Sequence, residues 1–338
     1  MRSVAELEDR LSQPGEPLIE DLRKLDGDIL VLGAGGKLGP SLVRLALRGV
    51  AEAGTGVRVI AVSRFNEPGL ADALADAGAV VVPADVADER QLAELPDAPN
   101  VVYLVGTKFG TSGGEHATWA ANAYLPGRVA TRFAGARIAG LSTGNVYPLL
   151  PVGGGGATED TRLDPVGEYA MSCLGRERIF EHFSERDGTP VSLIRLNYAV
   201  ELRYGVLVDI AEAVWHGRPV DLTTGYANVV WQGYANQVTL RSLRYAASPP
   251  YLLNLTGPET VSVRQLAVEF GRLLDREPVL LGEEAPTALL SNAARCHGRF
   301  GYPDVPLAEL VEHTAAWVAE GLPRYGKPTH FQSRDGKF

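Results

Sequence analysis

Short apolar runs alternate with helical stretches along the first two thirds of this chain, and that alternation constrains its fold more than anything else. Asp28–Leu32, Val57–Ser63, Ala79–Val82, Asn100–Val105, Arg137–Leu141 and Val191–Leu196 read as strands. The segments between them read as helices at Leu38–Leu47, Leu70–Ala77, Asp88–Leu95, Ala117–Phe133 and Glu168–Phe183. A strand that follows a helix of this length returns parallel to the strand before it, so the pattern predicts an α/β, doubly wound parallel sheet. The runs are nearly all apolar because helices cover both faces of such a sheet. Beyond residue 197 the alternation weakens. Tyr204–Trp215, Val263–Leu274 and part of Gly301–Gly321 read as helices, Leu252–Leu255 as a strand, and Lys327–Phe338 as a polar irregular tail. The expected division is 27–196 with 222–256 as a nucleotide-binding domain, and 197–221 with 257–338 as a smaller C-terminal substrate lobe. Residues 1–26 read as a polar leader with one amphipathic helix at Val4–Leu11.

The first strand runs into Gly33-Ala34-Gly35-Gly36-Lys37-Leu38-Gly39, which opens a helix. Glycines at this spacing permit a tight turn and close backbone approach to a pyrophosphate seated on the helix N-terminus. The sheet is therefore expected to be of the Rossmann type, with a dinucleotide touching Gly33, Gly36, Lys37, Leu38 and Gly39. Pro40 is tolerated because it falls in the first helical turn. The second strand ends Val62-Ser63-Arg64, without the acid that would bind a ribose 2′-hydroxyl. A hydroxyl and a guanidinium at Ser63 and Arg64 suit a 2′-phosphate, with Lys37 adding charge, so NADP(H) is expected over NAD(H). Asp85-Val86 follows the third strand. Asp85 reads as the N-cap of the next helix.

Two further stretches carry a resemblance. Ser142-Thr143-Gly144-Asn145-Val146-Tyr147 precedes Tyr169-Ala170-Met171-Ser172-Cys173, and both follow the glycine turn. Together they resemble the extended short-chain dehydrogenase/reductase family, which contains nucleotide-sugar epimerases and dehydratases. That family carries Ser or Thr and then Tyr-x-x-x-Lys. The resemblance implies that Thr143 hydrogen-bonds the reacting oxygen and Tyr169 passes its proton. It also matches Asn122 to the family's asparagine in the helix after the fourth strand, Thr158-Glu159-Asp160 to its usual loop before the Tyr helix, and Asp85-Val86 to its adenine contact, a role that Asp85 takes in place of its capping role or beside it. In the family the lysine lowers the tyrosine pKa and binds the nicotinamide ribose. Here that cofactor-binding position is Cys173, which supplies neither a cation nor ribose hydrogen bonds and reads as a small buried packing residue. The family's Gly-Pro after the sixth strand is also absent from Arg195-Leu196-Asn197-Tyr198-Ala199-Val200-Glu201-Leu202, and the Asn is shifted by one. A nucleotide-sugar substrate is therefore not implied.

An unperturbed tyrosine titrates near pH 10, so a tyrosine base needs a neighbouring cation. Lys108 follows the fourth strand in Gly106-Thr107-Lys108, where some galactose epimerases carry an active-site lysine. It reads either as the substitute cation or as a surface charge. Arg176, on the Tyr169 helix, reads as a surface charge. The resemblance also implies a homodimer, with helices Ala117–Phe133 and Glu168–Phe183 pairing across a two-fold axis and Val129, Phe133, Ile179 and Phe183 serving core and interface.

Composition narrows the partners. The net charge of −9 disfavours nucleic acid, whose binders show a basic surface. The two cysteines, Cys173 and Cys296, form no CxxC pattern, and the six histidines show no metal-ligand spacing. No apolar run approaches the roughly 18 residues of a membrane span, and the N-terminus lacks a signal-peptide core, so the cytoplasm is expected. The function expected is an NADP(H)-dependent oxidoreductase or epimerase-like enzyme acting on an oxygen-bearing carbon of a small-molecule sugar, sugar acid or polyol. The alternative is a catalytically degenerate dinucleotide-binding sensor, which a lost lysine would suit.

Overall fold

The structure, a computed structural model, describes residues 1–108 and 113–337. Its central sheet comprises β1 (Ile29–Leu32), β2 (Val59–Ser63), β3 (Val80–Pro83), β4 (Asn100–Tyr103), β5 (Arg137–Thr143), β6 (Val191–Leu196) and β7 (Tyr251–Leu255). The order is β7-β6-β5-β4-β1-β2-β3, and every pair is parallel. Strand order reverses between β1 and β4, which opens a crevice beyond their C-terminal ends. This is the doubly wound Rossmann-type sheet that the alternation predicts. All four residues of β1 and of β4 are buried, as strands covered on both faces must be.

The N-terminal residues depart from the expected leader. Two helices, Val4–Leu11 and Glu16–Arg23, pack against the Gly39–Ala53 helix. Leu7, Leu11, Leu18 and Leu22 are buried and belong to the main core. Each helix is short and half charged, so its apolar stripe is narrow: Leu7 and Leu11 in the first, Leu18, Ile19 and Leu22 in the second. The Val4–Leu11 helix is the one the sequence predicts; Glu16–Arg23 has no sequence expectation, and neither has Gln232–Arg241, which is almost entirely buried. Gln232 Nε2 and Asn236 Nδ2 both donate to Ser41 Oγ, at 3.0 and 2.9 Å.

The segment expected to be one helix, Ala117–Phe133, is broken in three. An α-helical turn at Glu115–Trp119 passes into a π-helical turn at Ala120–Tyr124, then into an α-helix at Leu125–Arg132. Pro126 has no N–H to give the Asn122 carbonyl four residues back. Arg176 Nε donates to that carbonyl instead, at 3.4 Å. Val129 and Phe133, expected to serve an interface as well, lie within the subunit core. The exposed apolar side chains of this helical pair are Trp119, Tyr124 and Met171.

A buried charge joins the long Gly167–Asp187 helix to the sheet. Glu177 is fully buried, and Arg195 on β6 reaches both its oxygens, with Nη2 2.7 Å from Oε2. Ser142 Oγ on β5 donates to Glu177 Oε1 at 2.5 Å. Arg195 Nη1 donates to the Tyr147 hydroxyl at 2.8 Å, which donates in turn to Asn254 Oδ1 on β7 at 2.7 Å. Removing one partner of a buried pair leaves the other charge uncompensated. Glu177→Ala is therefore expected to destabilise the fold by about 3–5 kcal/mol in urea unfolding. A loss below about 1 kcal/mol, the range of exposed pairs, would show that the network is dispensable.

Candidate active site

A cleft of about 910 Å³ runs along the crevice, walled by the glycine turn, the ends of β2 and β3 and the start of the Ala120–Tyr124 turn. Gly33 holds φ +90, a left-handed conformation that disfavours any side chain. A Cβ on Gly39 would strike the Ala34 backbone, so this glycine lets the helix start tight against the turn. The bare backbone of Gly33, Gly35 and Gly36 lines the cleft at the Gly39–Ala53 helix N-terminus, the geometry that receives a pyrophosphate. The volume also lies in the range of about 300–1,000 Å³ that encloses a ligand of this size. The residues present thus fit a dinucleotide.

Ser63, Arg64, Asp85 and Val86 line the far end of this cleft. Arg64 Nη1 lies 4.0 Å from Asp85 Oδ2, with both side chains substantially exposed. Asp85 does not cap the next helix. Asp88 does, its Oδ1 accepting from the Arg90 and Gln91 N–H groups at 3.0 Å each. Asp85 Oδ1 instead accepts from Ala87 N at 3.0 Å, closing the turn beside the cleft.

Lys37 does not join Arg64. The residue is exposed, and its ammonium turns the other way, donating to the Ala199 carbonyl at 2.5 Å and standing 4.4 Å over the Tyr204 ring. It enters a second cavity of about 170 Å³ with Leu38, Lys108, Thr143, Tyr169 and Asn197. Burial pulls the Lys37 pKa down to about 8, opposed by Glu201 and assisted by Lys108 and Arg203. Burial likewise brings Lys108 to about 8, opposed by Cys173 and Asp209. Lys108 Nζ donates to the Thr329 carbonyl at 3.3 Å.

Thr143 ends β5, and its Oγ accepts from Asn145 N at 3.2 Å. Tyr169 sits in the first turn of the Gly167–Asp187 helix, with Thr143 and the Cys173 thiol near enough to its hydroxyl to act on its titration. Burial raises the Tyr169 pKa, Cys173 raises it further, and Arg176 and Thr143 pull it back only in part. The hydroxyl is therefore protonated at neutral pH. Sequence reasoning brings Thr143, Tyr169 and Lys108 to one place, and the structure places them around one cavity.

Three other residues stand behind it. Cys173 lines neither cavity and packs with Val146, Tyr147 and Ala157. Asn122 is fully buried as a strut, with Oδ1 accepting from Thr107 N at 2.9 Å and Nδ2 donating to Thr107 O at 2.9 Å and Ser172 Oγ at 3.0 Å. Arg176 is not the surface charge expected. It is 6% exposed, with Nη1 donating to Leu141 O at 2.7 Å and Nη2 to Asn122 Oδ1 at 2.8 Å. Its place three residues from Cys173 and seven from Tyr169, on one helical face, is the signal that would have marked it. Among the described residues, no cluster of His, Cys, Asp and Glu is suited to a metal, and no helix is long and apolar enough to cross a membrane.

The sequence pattern of the NAD dependent epimerase/dehydratase family matches residues 29–200, half of the chain, and the chain belongs to that family. No curated protein is similar enough in sequence to count as a match. Among solved structures, the chain is similar to a UDP-glucose 4-epimerase of Thermotoga maritima with UDP-glucose, at 16% identity and TM-score 0.69, over 87% of this chain and 99% of that one. It is also similar to DesIV, a dTDP-glucose 4,6-dehydratase of Streptomyces venezuelae with NAD and TYD bound, at 19% identity and TM-score 0.72, over 87% and 97%. A short-chain dehydrogenase/reductase superfamily protein from Agrobacterium tumefaciens with bound NAD matches at 16% identity and TM-score 0.72, over 87% and 97%. At these identities the likeness shows a shared fold.

The cysteines offer a direct check on the geometry. Burial raises the Cys173 pKa, against the pull of Arg176, and brings Cys296 to about 12. Neither thiol is expected to react with iodoacetamide in the native protein at neutral pH, and both are expected to react after unfolding. Intact-mass measurement reads this out. Rapid native labelling of Cys173 would show that the space behind Tyr169 is open.

Proposed function

We propose that this chain is an NADP(H)-dependent oxidoreductase or epimerase-like enzyme acting at an oxygen-bearing carbon of a sugar, sugar acid or polyol. The observation that carries the reading is the pair of hydroxyl residues Thr143 and Tyr169, both lining a cavity that Lys37 and Leu38 of the glycine turn also line. The backbone from Gly33 to Gly39 holds the pyrophosphate, Ser63 and Arg64 hold the 2′-phosphate, and Asp85 and Val86 border the adenine. The bound cofactor supplies a hydride-exchanging carbon, C4 of the nicotinamide. Thr143 fixes the substrate oxygen by a hydrogen bond. Tyr169, protonated at rest, donates its proton to that oxygen during reduction and takes it back during oxidation. The phenolate left on Tyr169 needs positive charge. Lys108 supplies it from the cavity wall, and the buried Arg176 supplies it from behind, where water does not screen it.

Cys173 favours a second reading, a dinucleotide sensor without turnover. Under that reading Cys173→Lys creates hydride transfer where the natural chain has none.

Exposed Trp119, Tyr124 and Met171 on adjacent helices support a homodimer built on that face. Light scattering at micromolar concentration is expected to give twice the chain mass, and a stable monomer rejects the dimer.

Calorimetric titration of the apo protein is expected to show tighter binding of NADP(H) than of NAD(H), and Arg64→Asp is expected to reverse the order. Equal affinities in the natural chain would remove Arg64 from this role. Tyr169→Phe is expected to lower turnover by about 10²–10⁴-fold without loss of cofactor binding. Lys108→Met is expected to lower it as well, and unchanged turnover would exclude Lys108 as the cation.

A further inference from the structure

The C-terminal segment crosses the mouth of the active-site cavity and is fixed at both ends. Thr329 is almost fully buried, and its N–H and hydroxyl both donate to Asp209 Oδ2, at 2.9 and 2.5 Å. Its carbonyl accepts from Lys108. Phe331 is buried, and the next carbonyl, that of Gln332, accepts from Thr224 Oγ at 3.1 Å. Arg334 donates to the Thr287 carbonyl and hydroxyl at 2.6 and 2.7 Å. Gly336 lies against Gly167, so closely that a Cβ on Gly167 would come within 2.6 Å of the Gly336 carbonyl. Asp209, Thr224 and Thr287 belong to the C-terminal part, and Gly167 begins the Tyr169 helix.

This segment divides the space between the sheet and the C-terminal part. On the Tyr169 side lies the 170 Å³ cavity, with Thr329 as a wall. Beyond it lies a second cavity of about 400 Å³, walled by Phe331, Arg203, Asp209 and Arg218, which meets the first at Tyr204. The first is well below the roughly 300–1,000 Å³ that encloses drug-sized ligands, and it must also admit a nicotinamide ring. A nucleotide-linked sugar belongs to the larger class, and this cavity by itself does not enclose one. The cavity is also charged. Lys37 and Lys108 both line it, and the Lys108 ammonium makes Lys37 costlier to hold charged. An anion bound between them relieves that repulsion.

We infer that the substrate is a small free sugar acid or polyhydroxy acid. Its carboxylate lies between Lys37 and Lys108, and its reacting hydroxyl or carbonyl lies at Thr143 and Tyr169. The C-terminal segment serves as the wall that excludes nucleotide-linked sugars. The inference rests on the proposed chemistry of Thr143 and Tyr169 but has its own readout, which is binding.

The test titrates D-glucuronate, D-galacturonate and D-gluconate into the NADP+-loaded full chain by calorimetry, beside D-glucose, D-glucose 6-phosphate and UDP-glucuronate. At least one free acid is expected to bind about tenfold or more tighter than D-glucose, the scale of one charge-assisted contact. UDP-glucuronate is expected not to bind, and Lys37→Met is expected to weaken the free acid about tenfold. Removal of residues 327–338 is expected to admit UDP-glucuronate. Binding of UDP-glucuronate to the intact chain as tightly as the free acids overturns the inference. So does binding of none of the three acids, an unaltered affinity in Lys37→Met, or tighter binding of D-glucose 6-phosphate. Nicotinamide absorbance followed in the same mixtures separates the two claims. Reduction with UDP-glucuronate alone keeps the proposed chemistry and removes the small-acid substrate. Binding of a free acid without reduction keeps the anion site and removes the chemistry for the acids tried.

Discussion

The buried Glu177 carboxylate fixes the register on which the whole site depends. It takes a hydrogen bond from Ser142 on β5 and the guanidinium of Arg195 on β6, and it sits two turns along the helix from Tyr169. Ser142 is the neighbour of Thr143. A helix that slid or rotated against the sheet would carry Tyr169 away from Thr143 and leave Arg195 charged in the core. The desolvation of these groups is costly, and their mutual bonds offset it only in one arrangement. The network thus exchanges stability for position, and it reaches through Tyr147 to Asn254 on β7.

The same helix resolves the absence of a lysine one turn after Tyr169. Pro126 frees the Asn122 carbonyl, and Arg176 takes up both that carbonyl and the Asn122 side chain. A positive charge thereby stands within the electrostatic reach of Tyr169 and Cys173 without entering the cavity. Lys108 and Lys37 bring two more from β4 and from the glycine turn. Of the three, Arg176 is the one whose charge acts on the Tyr169 hydroxyl, while Lys37 and Lys108 line the cavity that it faces. Burial holds Lys37 and Lys108 close to their titration points, so both respond to what binds between them.

Much of the fold was legible because it follows from local pattern. Apolar runs separated by helical segments give a parallel sheet, and the glycine turn marks where its crevice lies. Thr143, Tyr169 and Lys108 were legible because strand and helix ends in such a sheet converge on that crevice. Other features depend on contacts between distant residues. Lys37 lies in the turn as expected, but its direction is set by the Ala199 carbonyl and the Tyr204 ring. Arg176 reads as a surface charge until Asn122 and the Leu141 carbonyl are brought to it. The N-terminal helices bury two leucines each and otherwise read as polar chain. The C-terminal segment has no periodicity, and Asp209, Thr224, Thr287 and Gly167, which hold it, are scattered over more than a hundred residues of sequence.

The central claim is that Thr143, Tyr169 and Lys108 form a working site although Cys173 holds the lysine position. A crystal structure of the full chain with NADP+ tests it most directly. The account predicts the nicotinamide C4 facing the space between the Thr143 and Tyr169 hydroxyls, and the Lys108 ammonium within about 4–6 Å of the Tyr169 oxygen or the ring, the range over which one charge shifts a pKa. A nicotinamide turned away from Tyr169, with Lys108 directed into solvent, would contradict it.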